Sequence, residues 1–119
     1  MKDFRELKVW EKAHLLVLAV YKATELFPRQ DLYSLTNQIQ RAAVSIPANI
    51  AEGCCKTWDA DFGRYLQIAM GSSSELEYLL LLAHDLNYLP DESYQVLSNQ
   101  FIETRKMLNT LIQRIRTNL

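Results

Sequence analysis

An acid and an imidazole in the first predicted helix have a spacing that some metal proteins use. Glu11 and His14 are three residues apart and share one helical face. In di-iron bundles, two helices each contribute such a Glu-x-x-His pair. The other histidine, His84, has Leu81 where the matching glutamate would stand. Because half of the ligand set is missing, we expect no metal and no cofactor, and we interpret His14 as a partly exposed residue at an interface.

The remaining reactive side chains lack the partners that catalysis requires. Cys54 and Cys55 are adjacent, and adjacent residues at a helix end point apart, which excludes a structural disulfide or half of a spaced metal site. We interpret them as thiols of a reducing compartment. Asp59 and Asp61 fit the first turn of a helix, where the helix dipole favours acids. The sequence has no nucleophile motif or phosphate-binding glycine loop, so we predict that the protein is not an enzyme.

Four helical segments must position these side chains. Only three glycines and three prolines occur in 119 residues, which favours few, long elements. We expect Gly53 to end the second helix in the left-handed conformation and the Thr57 hydroxyl to cap the third. Connections of about three to five residues favour antiparallel neighbours. The sequence therefore predicts one all-α domain, residues 1–119, folded as an antiparallel up-down-up-down four-helix bundle. Its helices run from about Leu7 to Phe27, Asp31 to Cys54, Thr57 to Asn87, and Asp91 onward.

The second segment contains a proline within a helical pattern. Residues 39–53 read IQRAAVSIPANIAEG, and their polar and apolar stripes continue on both sides of Pro47. We predict a helix kinked at Pro47, because proline donates no hydrogen bond to the carbonyl four residues earlier. Small residues here and near Gly71 predict a tight crossing of helices two and three. The polar residues expected to hold it are Gln38, Arg41, Ser45, Asn49 and Glu52, with Ser72, Ser74 and Glu75 opposite. A ligand or nucleic-acid contact is the alternative role.

Charge is unevenly distributed along the chain. The formal net charge is −1, which gives no general attraction to nucleic acid or to anionic membranes. Residues 93–119 are nevertheless basic, with only Glu103 opposing their four cations. If an oligomer repeats these cations by symmetry, weak contacts with nucleic acid add together. The candidate nucleic-acid contacts are Arg105, Lys106, Arg114 and Arg116.

The apolar residues exceed what one bundle core needs. The runs LLVLAVY and YLLLLA leave little polar face, and Ile102, Met107 and Ile112 flank the heptad stripe of the last helix. This surplus predicts contacts with further copies of the chain. The longest apolar runs are well short of the roughly 20 residues that span a bilayer. The charged start, MKDFRELKVWEK, lacks the pattern of a signal peptide. We expect a cytoplasmic protein without membrane contact.

Three strings carry a family resemblance, namely FRELKVWEKAH, LTNQIQRAAVSIPANIAEG and IAMGSSSELEYLL. In this order they closely resemble the four-helix-bundle proteins encoded within intervening sequences of bacterial 23S ribosomal RNA genes. The resemblance implies a ring-like homopentamer without established enzyme activity. It also implies kinship with the accessory protein of diversity-generating retroelements, which partners a reverse transcriptase and nucleic acid. Those accessory proteins are strongly basic, whereas this chain is near neutral and has Gln40 at the motif's usual second arginine.

Residues and resemblance together predict a non-enzymatic homopentamer that binds RNA, DNA or a nucleic-acid enzyme such as a reverse transcriptase. Fewer cations mean fewer counterions released from phosphates, so any nucleic-acid binding should be weaker than in the basic relatives. The alternative is a structural or protein-binding oligomer that makes no contact with nucleic acid.

Overall fold

Four long helices account for most of the chain in the computed structural model, which describes residues 3–117. A 3₁₀ turn, Phe4–Glu6, precedes the first helix, and a second one, Arg29–Asp31, continues into a π-helical turn, Leu32–Thr36, before the second helix. The described residues contain no β-strand. The prediction of an all-α four-helix bundle is therefore confirmed. The helices are α1 (Lys8–Thr24), α2 (Asn37–Cys54), α3 (Asp59–Asp85) and α4 (Asp91–Thr117).

The contacts between consecutive helices join the end of one to the start of the next. Gln40, early in α2, donates a hydrogen bond to Thr24 at the end of α1. His84, at the end of α3, bonds to Asp91 at the start of α4. Each helix packs on two neighbours, so α1 and α3 each contact both α2 and α4. The predicted up-down-up-down order is compatible with these contacts and stays a prediction.

One apolar face of each helix supplies the core. Three apolar residues of α4 were predicted to lie beside its core stripe and to contact other copies of the chain. Of these, Ile112 is buried in the core, Met107 is half-buried and only Ile102 is exposed. Full burial of a leucine or isoleucine contributes about 1.5–3 kcal/mol to folding. The largest fully buried apolar side chains are Leu16, Ile39, Ile46, Ile50, Leu66, Leu76, Leu80, Leu89 and Leu108.

Two buried hydroxyls form hydrogen bonds within their own helices. Ser73 Oγ donates to the carbonyl of Met70 at 2.7 Å, and Thr104 Oγ1 donates to the carbonyl of Gln100 at 2.8 Å. Both side chains are almost completely buried. Because serine and threonine can bond back to the preceding turn, these hydroxyls are satisfied without a polar partner on another helix.

The end of α2 differs from the prediction. Gly53 lies inside the helix, which continues to Cys54, and no glycine among the described residues has a positive φ angle. The predicted left-handed cap at Gly53 is therefore wrong. Thr57 is also not the cap of α3, since Trp58 occupies that position and makes no side-chain capping bond. The helix α2 runs without interruption through the buried Pro47, and the kink there stays a prediction.

The left-handed residue lies instead at the end of α3. Asn87 has a φ angle of 65°. Its N–H donates to the carbonyl of His84, and the N–H of Tyr88 donates to the carbonyl of Ala83, both at 3.0 Å. This pair of bonds is a Schellman motif, in which asparagine replaces the more common glycine. It ends α3 and turns the chain toward α4.

Candidate functional site

The helices α2 and α3 approach each other closely at Gly53. A Cβ atom at this position would lie 2.8 Å from Cδ1 of Phe62 and 3.0 Å from Cβ of Tyr65. Both of these residues belong to the first turns of α3. Glycine suits this position, because a side chain here would force Phe62 or Tyr65 of the neighbouring helix to shift.

A pair of hydroxyls links the same two helices further along. The Oγ atoms of Ser45 on α2 and Ser72 on α3 are 2.7 Å apart and hydrogen-bonded. Asn49 Nδ2 donates to the carbonyl of Ser45 at 2.8 Å and to its Oγ at 3.0 Å. Asn49 was expected to reach α3 directly, but the structure places its amide on α2, where it supports the serine that makes the contact.

The other polar residues predicted at the crossing line an open groove. Gln38, Arg41 and Glu75 are exposed around a cavity of about 380 Å³ whose floor includes Ser45. No hydrogen bond or ion pair joins Arg41 to Glu75 within residues 3–117. Arg41 therefore faces a polar groove and does not bridge the helices as predicted. Glu52 and Ser74 are exposed as well.

Arg105 on α4 is half-buried and pairs with a glutamate of α3. Its Nη2 atom pairs with Oε1 of Glu77, and its guanidinium lies 5.6 Å from the ring centre of Phe101. Glu103, the acid expected to oppose the α4 cations, pairs instead with Lys12 of α1 at 3.0 Å. Arg105 thus connects α3 to α4, and this ion pair competes with any phosphate contact.

The other candidate cations point in different directions. Residues two apart on an α-helix are separated by about 200° around its axis, so Arg114 and Arg116 lie on opposite edges of α4. Arg114 lines a groove with Lys8 of α1, whereas Arg116 lies on the Arg105 edge, eleven residues further on. Lys106 faces outward between these edges. The four predicted contacts therefore do not share one face.

The residues considered above for metal and thiol chemistry do not come together in one site in the described part of the chain. Within residues 3–117, no group of three or more His, Cys, Asp and Glu side chains is close enough to hold a metal ion. His14 stacks on Trp10, with 5.0 Å between ring centres and an interplanar angle of 7°. Cys54 is buried and Cys55 is exposed. Among the described residues, no helix combines the length and apolarity needed to cross a bilayer.

His84 is a titratable contact between α3 and α4. Its Nε2 atom lies 2.5 Å from Oδ1 of Asp91, and its ring stacks on Tyr94 at 4.5 Å. The hydrogen bond to Asp91 raises the pKa of His84 above 6.5, with Asp85 contributing in the same direction and desolvation opposing it. The folded protein therefore favours the imidazolium.

We expect this contact to make stability depend on pH. Because the pKa of His84 is higher in the folded state, its stabilisation is fully present below pH 6.5 and is lost as the pH rises through the raised pKa. The melting temperature of the wild type should therefore fall more between mildly acidic and mildly alkaline pH than that of His84→Gln. Asp91→Asn should flatten the profile similarly. Parallel profiles for the three proteins would contradict this assignment.

A further cavity had no counterpart in the sequence predictions. It lies between the end of α1, the π-helical turn and the start of α2, and measures about 570 Å³. Thr36 and Gln40 both line it. They are four residues apart and therefore share one helical face. This spacing is common to every helix, so it does not indicate a cavity. The pattern alone could not have revealed a cavity formed by a π-helical turn.

The chain is a four-helix bundle in which small residues let α2 and α3 approach closely and a pair of serines links them. The chain belongs to the 23S rRNA-intervening sequence protein family, whose model matches residues 5–110. It is similar to a crystal structure of a protein of unknown function from the S23 ribosomal protein family of Bacteroides thetaiotaomicron. The two share 30% identity over 88% of this chain and 95% of the other, with a TM-score of 0.81. No curated protein matches the chain significantly.

Proposed function

We propose that this protein is a non-catalytic homo-oligomer that serves as a binding module for nucleic acid or for an enzyme acting on nucleic acid. The observation that carries this proposal is the amount of apolar surface outside a complete core. Large exposed apolar patches on soluble proteins mark interaction sites. The family resemblance favours five copies in a ring.

One apolar patch, the α1 face, consists of Leu15, Leu18, Leu26 and Val96. Leu15 and Leu18 point away from the core, and Leu18 is 54% exposed. Leu26, just beyond α1, is 84% exposed and lines a groove of about 470 Å³ with Val96 of α4. The groove is lined mainly by apolar side chains and is open to solvent, so it can receive a side chain from a neighbouring copy.

A second patch, the α3–α4 face, consists of Tyr78, Leu81 and Ile102, all exposed. The ion pair of Glu77 with Arg105 fixes the register of the two helices here. Leu81 follows Glu77 by four residues and Ile102 precedes Arg105 by three, so each lies about one helical turn from the ion pair. Because the end of α3 meets the start of α4, both residues lie on the same side of that ion pair.

Two different apolar faces suit a ring better than a two-fold dimer. In a cyclic assembly beyond a dimer, one face of each subunit meets a different face of the next. The α1 face and the α3–α4 face are separate and of unlike composition, which is the arrangement that a head-to-tail contact needs. This supports a ring, with the number of subunits taken from the resemblance.

Nucleic-acid binding by the oligomer would depend on the exposed cations of α4. Lys106, Arg114 and Arg116 are exposed, and Lys8 lies across a groove from Arg114. One protomer offers few phosphate contacts, but symmetry repeats them, so that several weak contacts act together. The expected interaction is modest and strongly salt-dependent.

Titration with short single-stranded RNA and DNA at about 50 and 200 mM salt tests this proposal. The triple variant Lys106→Gln, Arg114→Gln, Arg116→Gln should bind more weakly, and its salt dependence should be shallower by about one unit for each phosphate that the variant no longer neutralises. Arg64→Gln removes an exposed arginine at the start of α3 and serves as the matched control. Absence of binding at low salt, or equal binding by the triple variant, would favour the alternative below.

The alternative function is a structural or protein-binding oligomer without nucleic-acid contact. The ion pair between Arg105 and Glu77 favours it, because that arginine is already neutralised. Under this alternative, both apolar faces keep their role in assembly and only the titration gives a different result.

A further inference from the structure

The cavity beside the α1–α2 connection combines an unusual backbone with mixed polarity. The π-helical turn Leu32–Thr36 forms one wall, and such turns are frequent at functional sites. Its volume of about 570 Å³ lies within the range of small-molecule pockets. Buried Phe27 and half-exposed Leu32 give it an apolar lining.

A buried hydroxyl at this cavity has an unused hydrogen-bonding capacity. Thr36 is 3% exposed and lines the cavity, yet its Oγ1 has no hydrogen-bond partner within residues 3–117. Leaving a buried polar group unpaired costs the fold its desolvation energy. The Oγ1 atom is itself shielded from solvent, so a ligand in the cavity reaches it only after the Thr36 side chain turns toward the cavity. A hydrogen bond formed in that way would offset the desolvation cost.

Neighbouring hydrogen bonds orient a second polar group. The Thr24 hydroxyl donates to the carbonyl of Tyr21 at 3.1 Å, so it must accept from Gln40 Nε2, also at 3.1 Å. Gln40 therefore uses its amide nitrogen on Thr24, which leaves its carbonyl oxygen as an acceptor beside the cavity. Thr36 and Gln40 together offer a hydroxyl and an acceptor to the edge of a ligand.

The rim of the cavity carries aromatic rings and one arginine. Tyr33 is 90% exposed, and Tyr21 is also exposed. Aromatic side chains in such positions stack with nucleobases. Arg29 lies on the same rim, and a guanidinium is well suited to bind phosphate. Glu25 also lines the rim, and its carboxylate disfavours an anion.

We propose that this cavity binds one nucleotide unit. Its base stacks on the rim tyrosines and bonds through its polar edge to Thr36 and Gln40, while its phosphate contacts Arg29. A free nucleotide and one unit of a single strand share this chemistry. For a unit of a single strand, the inference rests on the proposed function. For a free nucleotide it does not, because a free nucleotide can bind whether or not the oligomer holds nucleic acid.

Calorimetric titration of the full chain with uridine and adenosine monophosphates, and separately with short oligo(dT) and oligo(rU), tests the proposal. Thr36→Val is the decisive variant, because valine has nearly the same shape and lacks the unpaired hydroxyl. We expect it to melt at the same or a higher temperature and to bind roughly three- to tenfold more weakly, as the removal of one hydrogen bond predicts. Unfolding therefore cannot explain its weaker binding.

Two further variants test the rim, each with a control. Tyr33→Leu should lower affinity at least fivefold because it removes the stacking ring, whereas Trp58→Leu removes an exposed aromatic ring between α2 and α3 and should have no effect. Arg29→Gln should weaken binding and Glu25→Gln should strengthen it, because they change the rim charge in opposite directions. Arg64→Gln is the control for the arginine.

The outcomes separate this inference from the proposed function. Oligonucleotide binding that is weakened by the α4 triple variant but unchanged by Thr36→Val and Tyr33→Leu would overturn the inference alone. Mononucleotide binding that depends on Thr36 and Tyr33 would support it, even if oligonucleotides bind no better. Absence of binding by both kinds of probe would overturn both proposals.

Discussion

We expect Gly53→Ala to lower the free energy of unfolding relative to Gly71→Ala by about 1–3 kcal/mol, the usual cost of overpacking. Alanine gains about 1 kcal/mol of helix propensity at Gly71, in the middle of α3, and less at Gly53, the second-last residue of α2. A Cβ at Gly53 overlaps Phe62 and Tyr65, whereas one at Gly71 meets no atom within 4 Å. The close approach of α2 and α3 therefore supplies most of the difference between the variants.

Urea denaturation of the two variants measures this difference directly. Gly71→Ala should be as stable as the wild type or more stable. Gly63→Ala provides an intermediate control, because its Cβ would lie 3.6 Å from Ile115, an ordinary contact. Equal midpoints for Gly53→Ala and Gly71→Ala would show that the helices relax apart at little cost, and that Gly53 does not determine the crossing.

Leu18→Glu should dissociate the oligomer. Leu18 belongs to the α1 face and is 54% exposed in the protomer, so a carboxylate there costs the isolated chain little. At a subunit contact the same carboxylate would be buried without a partner, which costs several kcal/mol at each interface of the ring. Light scattering should give a mass several times 13.8 kDa for the wild type and close to 13.8 kDa for the variant.

Val44→Glu is the matched control for this experiment. Val44 is an exposed apolar residue on α2, outside both apolar faces. It should keep the oligomer mass, and circular dichroism should show the same helix content in all three proteins. A monomeric wild type at micromolar concentration, or dissociation by Val44→Glu as readily as by Leu18→Glu, would contradict the assignment of the α1 face.

Helices were predictable from the sequence wherever a repeating apolar pattern defines them. The predicted start of α4 at Asp91 and the predicted end of α2 at Cys54 agree with the structure. Gly53 was misread because a glycine near a helix end has the same signature whether it caps the helix or admits a neighbouring helix. Only the position of α3 distinguishes these roles. The one left-handed residue among the described residues, Asn87, follows α3, and α2 ends without one.

The polar contacts were less predictable because they depend on the register between helices. Ser45 and Ser72 belong to the predicted crossing set and do meet across it, but the direction of the Asn49 amide and the pairing of Arg105 with Glu77 arise from neighbours distant in sequence. The cavity at Thr36 depends on a π-helical turn, for which the residues LYSLT give no recognisable pattern.

The self-contained hydrogen bonds of Ser73 and Thr104 affect how this fold tolerates sequence drift. Since each hydroxyl bonds to its own helix, neither encodes which helix lies opposite. Alanine at Ser73 or valine at Thr104, each close in volume to the residue that it replaces, would leave no polar partner unpaired across the core, so these two exchanges should cost little. The pairing of helices is instead encoded by volume, above all by the missing side chain at Gly53. Relatives can therefore differ in their buried polar residues while keeping the same bundle.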